Sequence, residues 1–336
     1  MADVAVLGAG SWGTTFAKVL ADGGNRVTMW ARRPEAAREI AESRRNTRYL
    51  PGITLPDALT ATSDAAAAVA GAQQVYLAVP SQQLRATLTD LLPVLPTDAP
   101  LVSLMKGVEA GTRLRMSEVV AEAAHVGPER VAVVSGPNLA LEIAQEQPTA
   151  AVVSCSDLDA AMAVARVARN DYFHSFVNDD VIGTEFGGVL KNLVAVAIGI
   201  VDGVGYGENT KASIITRGLA EVTAFAVAHG AKPETMQGLA GLGDLIATCA
   251  SPLSRNFTAG RLLGLGYSRQ DVVARMNQVA EGLSSIAPVA ELAAARGIPM
   301  PILEQVRLVI DEAMDPRDIA PHLTTDDAEP TLEMLS

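Results

Sequence analysis

Cysteine is almost absent: Cys155 and Cys249 are the only two in 336 residues. That excludes a disulfide framework and makes a reducing, cytoplasmic compartment the default. Histidine is nearly as scarce. His125, His174, His229 and His322 are scattered, with no pair at helical spacing to hold a metal. Basic residues are outnumbered by acidic ones, and the net charge of −12 argues against nucleic acid and against an anionic membrane surface as partners. An anionic small molecule stays possible, but it needs a local cationic cluster. No apolar run reaches the roughly 18 residues of a membrane span, so no integral membrane segment is expected. The first apolar segment ends in glycines, which does not fit a secretory signal.

What is present begins at once. Val4-Ala5-Val6-Leu7 is a β-prone run. It meets Gly8-Ala9-Gly10-Ser11-Trp12-Gly13 and then passes into helical periodicity at Phe16, Val19 and Leu20. This is G-x-G-x-x-G between a strand and a helix, the context in which the pattern indicates dinucleotide binding. Gly8 allows the tight turn, Gly10 lets a pyrophosphate approach the backbone, and Gly13 lets the helix pack close to the sheet. The first N–H groups of the helix then point at the phosphates. A plain glycine turn is the competing explanation.

The second strand, residues 26–31, carries no acid at its tip, where an NAD site usually places one for the ribose 2′-hydroxyl. It ends in Arg32-Arg33. A guanidinium there matches the 2′-phosphate of NADP, which favours NADP. NAD stays open, because arginine also stacks on adenine. A solvated pair opening the next helix is a further alternative.

The length predicts two domains, and 49 % hydrophobic residues suffice for sizeable cores. Strand patterns recur at 59–62, 74–79, 100–104, 130–134, 148–154 and 172–177, with helical patterns at 35–43, 65–70, 81–92, 112–124, 139–145 and 157–168. Residues 44–59 read as a loop. The alternation predicts an α/β fold, an N-terminal doubly wound Rossmann-type sheet over residues 1–178. Residues 179–324 show only helical patterns and predict an all-α C-terminal domain. Residues 325–336 form an acidic tail expected to be poorly ordered. Unusual residues collect after the strands: 8–13, Arg32-Arg33, Pro80-Ser81, Lys106-Gly107 and 136–138. The carboxyl edge of such a sheet is where ligands bind.

Between Val181 and Ile200 only Glu185 and Lys191 are charged, and their spacing of six puts them on different helix faces. Gly187 and Gly188 share the face of Lys191 and would leave room for a ligand beside it. An ammonium in such apolar surroundings can exchange protons near neutral pH. It could instead snorkel, or pair with a distant carboxylate such as Asp244. Asp244 follows a glycine-dense turn and reads either as a helix N-cap or as an acceptor for a substrate hydroxyl or the catalytic ammonium. Ser254-Arg255-Asn256 opens a helix, where free N–H groups, the dipole and the guanidinium suit a phosphate. A plain capped surface helix is the alternative.

Together these pieces suggest hydride transfer on a small phosphorylated alcohol or ketone. The chain resembles the bacterial glycerol-3-phosphate dehydrogenase (NAD(P)+) family to about residue 320. The motifs that carry the likeness are Gly8-Ala9-Gly10-Ser11-Trp12-Gly13-Thr14, Lys106-Gly107, Val134-Ser135-Gly136-Pro137, Gly187-Gly188-x-x-Lys191-Asn192, Thr216-Arg217-Gly218, Gly241-Leu242-Gly243-Asp244-Leu245, Ser254-Arg255-Asn256 and Glu281-Gly282. The resemblance implies cofactor contacts at Ser11, Trp12, Arg32, Arg33, Lys106, Ala140, Val279 and Glu281, with Arg255 shared by cofactor and substrate. It implies substrate contacts at Lys106, Gly136, Asn138, Asp244, Ser254 and Asn256. Lys191 matches the catalytic proton acceptor. Asn138 departs from the Ser or Thr usual in the family. The implied reaction joins NAD(P)H and dihydroxyacetone phosphate to give sn-glycerol 3-phosphate for phospholipid synthesis, in a homodimer. Two rivals remain at this stage: another two-domain NADP-dependent dehydrogenase of hydroxy or sugar acids, and a dinucleotide sensor without turnover.

Overall fold

The computed structural model describes residues 1–276 and 281–320. In chain order its first part runs β1 (Asp3–Leu7), α1 (Ser11–Asp22), β2 (Arg26–Trp30), α2 (Pro34–Ser43), β3 (Leu59–Thr62), α3 (Ala65–Val69), β4 (Gln74–Leu77), α4 (Leu84–Leu91), β5 (Leu101–Ser103), α5 (Met116–Ala124), β6 (Val131–Ser135), α6 (Ala140–Ala144), β7 (Thr149–Ser154), α7 (Leu158–Ala168) and β8 (Phe173–Asn178). Each apolar run read as a strand forms one. They make a single sheet in the order β3-β2-β1-β4-β5-β6-β7-β8. Chain direction across the sheet reverses between β1 and β4, so the first glycine turn leaves at a topological switch point. The central strands β1, β4, β5 and β6 are buried on both faces, whereas β2, β3 and β8 keep exposed positions. Val4 and Val6 pack into one core with Phe16, Leu20 and Phe173, while Ala5 and Leu7 pack into another with Leu84, Leu88 and Val119. That two-sided burial explains why the runs are continuously apolar rather than alternating.

One feature has no sequence signal. β7 runs antiparallel to β6, while the other neighbouring strands pair in parallel. Apolar patterning carries no direction. The helix expected from residue 112 begins at Met116 instead. Residues 108–115 close on themselves through a Val108–Arg115 bridge, with Arg113 in the left-handed region at φ 63°. The N–H of Arg115 donates to the Glu118 carboxylate at 2.9 Å, which fixes the true start. Asp64 accepts from the N–H groups of Ala66 and Ala67 at the start of α3, and Asp157 does the same for α7.

The later part is helical: α8 (Val181–Val204), α9 (Glu208–Ala228), α10 (Pro233–Gln237), α11 (Asp244–Ala250), α12 (Arg255–Gly264), α13 (Arg269–Arg275), α14 (Glu281–Ala295) and α15 (Pro301–Ile310). α8 is long and apolar enough to cross a membrane by length and composition, but 83 % of its most apolar window is buried inside the protein. It is a core helix. By contact density the chain divides into one unit of Met1–Val189 with Ala226–Ala247, and a second of Leu190–Phe225 with the described residues from Thr248 on. In the second unit α8 and α12 cross at backbone distance. A Cβ on Gly199 would lie 2.2 Å from the Phe257 carbonyl oxygen, and one on Gly260 would lie 2.1 Å from that of Val196. Gly203 and Gly264 repeat the contact one turn on. The expected acidic tail, 325–336, lies outside the described residues.

Candidate active site

Gly8 turns at φ 120°, and a Cβ there would lie 2.4 Å from the Ala78 carbonyl oxygen. A Cβ on Gly13 would meet the Gly8 carbonyl oxygen at 2.2 Å. Among the described residues, nothing lies within 4 Å of the same position on Gly10. So two glycines permit packing and the middle one faces open space. Gly10 is the N-cap residue of α1, which has no side-chain cap and no acid in its first turn. Open space beside an uncapped helix N-terminus suits a diphosphate. Trp12 stands edge-on to Phe16, with ring centroids 5.4 Å apart, and its Nε1 has no hydrogen-bond partner among the described residues.

The loop 44–58 contributes more than its sequence suggests. Asn46 is buried, and its Nδ2 donates to the Ala9 carbonyl at 3.0 Å and to Thr14 Oγ1 at 2.7 Å. Ser11 Oγ donates to the Tyr49 carbonyl at 2.8 Å. This loop therefore braces the glycine turn from outside. An asparagine in a polar stretch gives no periodic signal, and sequence reasoning missed it.

Arg32 and Arg33 follow β2 and are exposed. Arg32 Nη1 donates to Gln83 Oε1 at 3.2 Å, and Arg33 stands at the N-terminus of α2. At the far side of the switch point, Lys106 Nζ donates to Asp244 Oδ2 at 2.6 Å and to the Gly136 carbonyl at 3.1 Å. Asp244 is buried, at 1 % exposure. It opens α11 directly after a wide π-type turn, Leu239–Gly243, in which a Cβ on Gly241 would strike the Met236 carbonyl at 2.0 Å. Gly136 turns at φ 133° beside Ala151. Both amide atoms of Asn138 are buried without a hydrogen-bond partner among the described residues. Ala140 opens α6, and its carbonyl accepts from Thr15 Oγ1 at 3.1 Å.

The glycines of α8 differ from expectation. Space over Gly187 is taken by the Ala240 carbonyl, and a Cβ on Gly188 would lie 2.7 Å from Ser135 Oγ and 3.2 Å from the Lys106 stem. They admit protein, not ligand. Between them they let α8 lie against the turn before Asp244 and against Lys106. Glu185 also has partners that its own helix could not reveal. Its carboxylate accepts from the Ser117 N–H at 2.8 Å, from Ser117 Oγ at 2.5 Å and from Arg115 Nη1 at 2.6 Å. Burial pushes this carboxyl above its ordinary value despite the adjoining guanidinium.

One turn beyond Gly188, Lys191 is 8 % exposed, and its Nζ donates to Thr248 Oγ1 at 2.7 Å. In the same unit Ser254 caps α12, its Oγ accepting from the Phe257 N–H at 3.2 Å. Arg255 is exposed in the first turn of α12, which holds no acid. Asn256 is buried, and its Oδ1 accepts from the Gly282 N–H at 2.9 Å. A Cβ on Gly282 would meet that Oδ1 at 2.8 Å and the Asn192 carbonyl at 3.0 Å, so a side chain there would have to displace the Asn256 amide. Val279 lies outside the described residues, and so does the side chain of Glu281. Among the described residues no group of His, Cys, Asp and Glu could hold a metal ion.

A Rossmann-type sheet with an open glycine turn, followed by a helical region bearing a buried lysine, defines the class of two-domain NAD(P)-dependent dehydrogenases. Residues 3–161 match the family described as NAD-dependent glycerol-3-phosphate dehydrogenase N-terminus, and residues 180–321 match its C-terminus. The chain is 67 % identical over 322 residues to a glycerol-3-phosphate dehydrogenase (NAD(P)+) of Leifsonia xyli, covering 96 % of this chain and 87 % of that one. It is 52 % identical to the enzyme of the same name from Streptomyces griseus, covering 97 % of each. The crystal structure of glycerol-3-phosphate dehydrogenase from Coxiella burnetii superposes with a TM-score of 0.91 at 36 % identity, over 96 % of this chain and 98 % of that one. The chain belongs to the NAD-dependent glycerol-3-phosphate dehydrogenase family.

Proposed function

We propose that this protein reduces dihydroxyacetone phosphate to sn-glycerol 3-phosphate with NAD(P)H, reversibly, and so supplies phospholipid synthesis. The observation that carries the reading is the 67 % identity, over nearly the whole chain, to a dehydrogenase of that name. The residues fit it. The open face at Gly10, with Ser11, Trp12 and Gly13, would hold the cofactor diphosphate, and Ala140, Val279 and Glu281 complete the proposed cofactor contacts. Arg32 and Arg33 would take the 2′-phosphate and favour NADP over NAD. When bound, the nicotinamide supplies the hydride for C2 of the ketone.

The chain's own residues do the rest. Lys191 gives its proton to the C2 oxygen, and in the reverse direction it takes the proton from the C2 hydroxyl. Lys106 places a second positive charge where the alkoxide develops. Asp244, paired with Lys106 at 2.6 Å, fixes that ammonium in place. Gly136 and Asn138 line the substrate end of β6. Arg255, Asn256, Ser254 and the N-terminus of α12 hold the phosphate. Because its Oδ1 is engaged by Gly282, Asn256 presents its Nδ2 donor, the polarity that a phosphate needs. We place the protein in the cytoplasm, where the buried thiols of Cys155 and Cys249 stay reduced, and as a homodimer.

The experiment is a substrate panel. NADPH and NADH oxidation are followed with dihydroxyacetone phosphate, glyoxylate and 6-phosphogluconate. Turnover confined to the first supports the reading. Preference for either acid would replace it with a hydroxy-acid or sugar-acid dehydrogenase.

A further inference from the structure

We propose that Gln83 is a specificity-determining residue for the cofactor, acting by holding Arg32 in place for the 2′-phosphate. The inference rests on the reading of Arg32 given above. β2 and β4 lie on either side of β1 in the sheet, so their ends are separated by about 9.5 Å, two strand spacings. Arg32 follows β2, and Gln83 closes the short turn Ser81–Gln83 after β4. Their hydrogen bond, Arg32 Nη1 to Gln83 Oε1 at 3.2 Å, therefore reaches across the carboxyl end of β1, from which the glycine turn departs.

The turn that carries Gln83 is itself fixed. Gln82 Nε2 donates to the Val108 carbonyl at 2.8 Å, and its Oε1 accepts from the Ala110 N–H at 2.9 Å. Ser81 and Leu84 on either side are buried, and Ser81 packs where a Cβ on Gly107 would stand. Gln83 thus projects from a rigid base, while Arg32 is a long exposed side chain that must lose rotamer freedom to bind an anion. A neutral acceptor on one edge of the guanidinium restricts it beforehand and leaves its charge intact. A carboxylate in the same place would cancel that charge, so glutamine suits a phosphate where glutamate would not.

The test is the ratio of kcat/KM for NADPH to kcat/KM for NADH. In Gln83→Leu the ratio falls by about threefold, the effect of one hydrogen bond to a partly solvated charge, while the NADH value stays at the parent level. In an Arg32→Ala background the same substitution changes nothing further. Gln83→Glu lowers the ratio more than Gln83→Leu does. An unchanged ratio in Gln83→Leu, with Arg32→Ala still lowering it, overturns the role of Gln83 and leaves that of Arg32 standing. An unchanged ratio in Arg32→Ala overturns both. Equal losses with the two cofactors, or the same drop without Arg32, also overturn the proposal, because Gln83 would then act on the fold or on the part the cofactors share.

Discussion

Asp22 Oδ2 accepts from both Lys18 Nζ and the Tyr172 hydroxyl, each at 2.6 Å, and Lys18 also donates to Glu146 at 2.9 Å. Burial alone would lower the Lys18 ammonium, but the two carboxylates outweigh it and hold it above its ordinary value. Burial, and then the Asp22 carboxylate, push the Tyr172 phenol up as well. The signs agree. Both protons are held more tightly in the folded chain, so the stability they contribute is complete below pH 10, the ordinary value of the phenol, and is lost as pH climbs through the raised values. Tm therefore falls above about pH 10, and Tyr172→Phe makes the fall shallower, measured by thermal melts from pH 8 to 11. The same slope in the variant would contradict this. At this scale the sequence was legible where a residue type alone carries the chemistry. Lys191 stood out because it is charged in an apolar helix. Asn46, Gln83 and the partners of Glu185 did not, since their meaning lies in residues 30 to 70 positions away that only the fold brings near.

Helices follow the same division. Gly-x-x-x-Gly on α8 and again on α12 lets two backbones meet, and this sets where the first turn of α12, with Arg255 and Asn256, stands relative to the stretch of α8 within the same unit. A methyl at Gly260 must push the helices apart, because its nearest neighbour is the Val196 carbonyl at 2.1 Å. Gly260→Ala is expected to destabilise the fold by about 1–3 kcal/mol and to raise KM for dihydroxyacetone phosphate. Gly207→Ala, where nothing lies within 4 Å, should leave both unchanged. Denaturant melts and steady-state kinetics on the two variants check it; equal effects would dissolve the claim that close approach is what matters. Strand and helix periods revealed nearly every element, because burial imposes them on the local sequence. The direction of β7 and the role of Gly187 and Gly188 depend on which partner a segment meets, and a period does not encode that.

For the molecule as a whole, a net charge of −12 is set against a phosphorylated substrate. The cations proposed to meet it are local: Lys106, Arg32 and Arg33 follow strands of the sheet, and Lys191 and Arg255 lie on α8 and α12. The succession of strands, then helices, was readable through the described residues because each compact unit must bury its own core. The central claim is that Lys191 supplies the proton. Steady-state turnover of Lys191→Ala with dihydroxyacetone phosphate and NADPH, alongside NADPH binding by fluorescence, tests it most directly. The account predicts a kcat lowered by about 10²–10⁴-fold with NADPH affinity retained; turnover near the parent rate would contradict it.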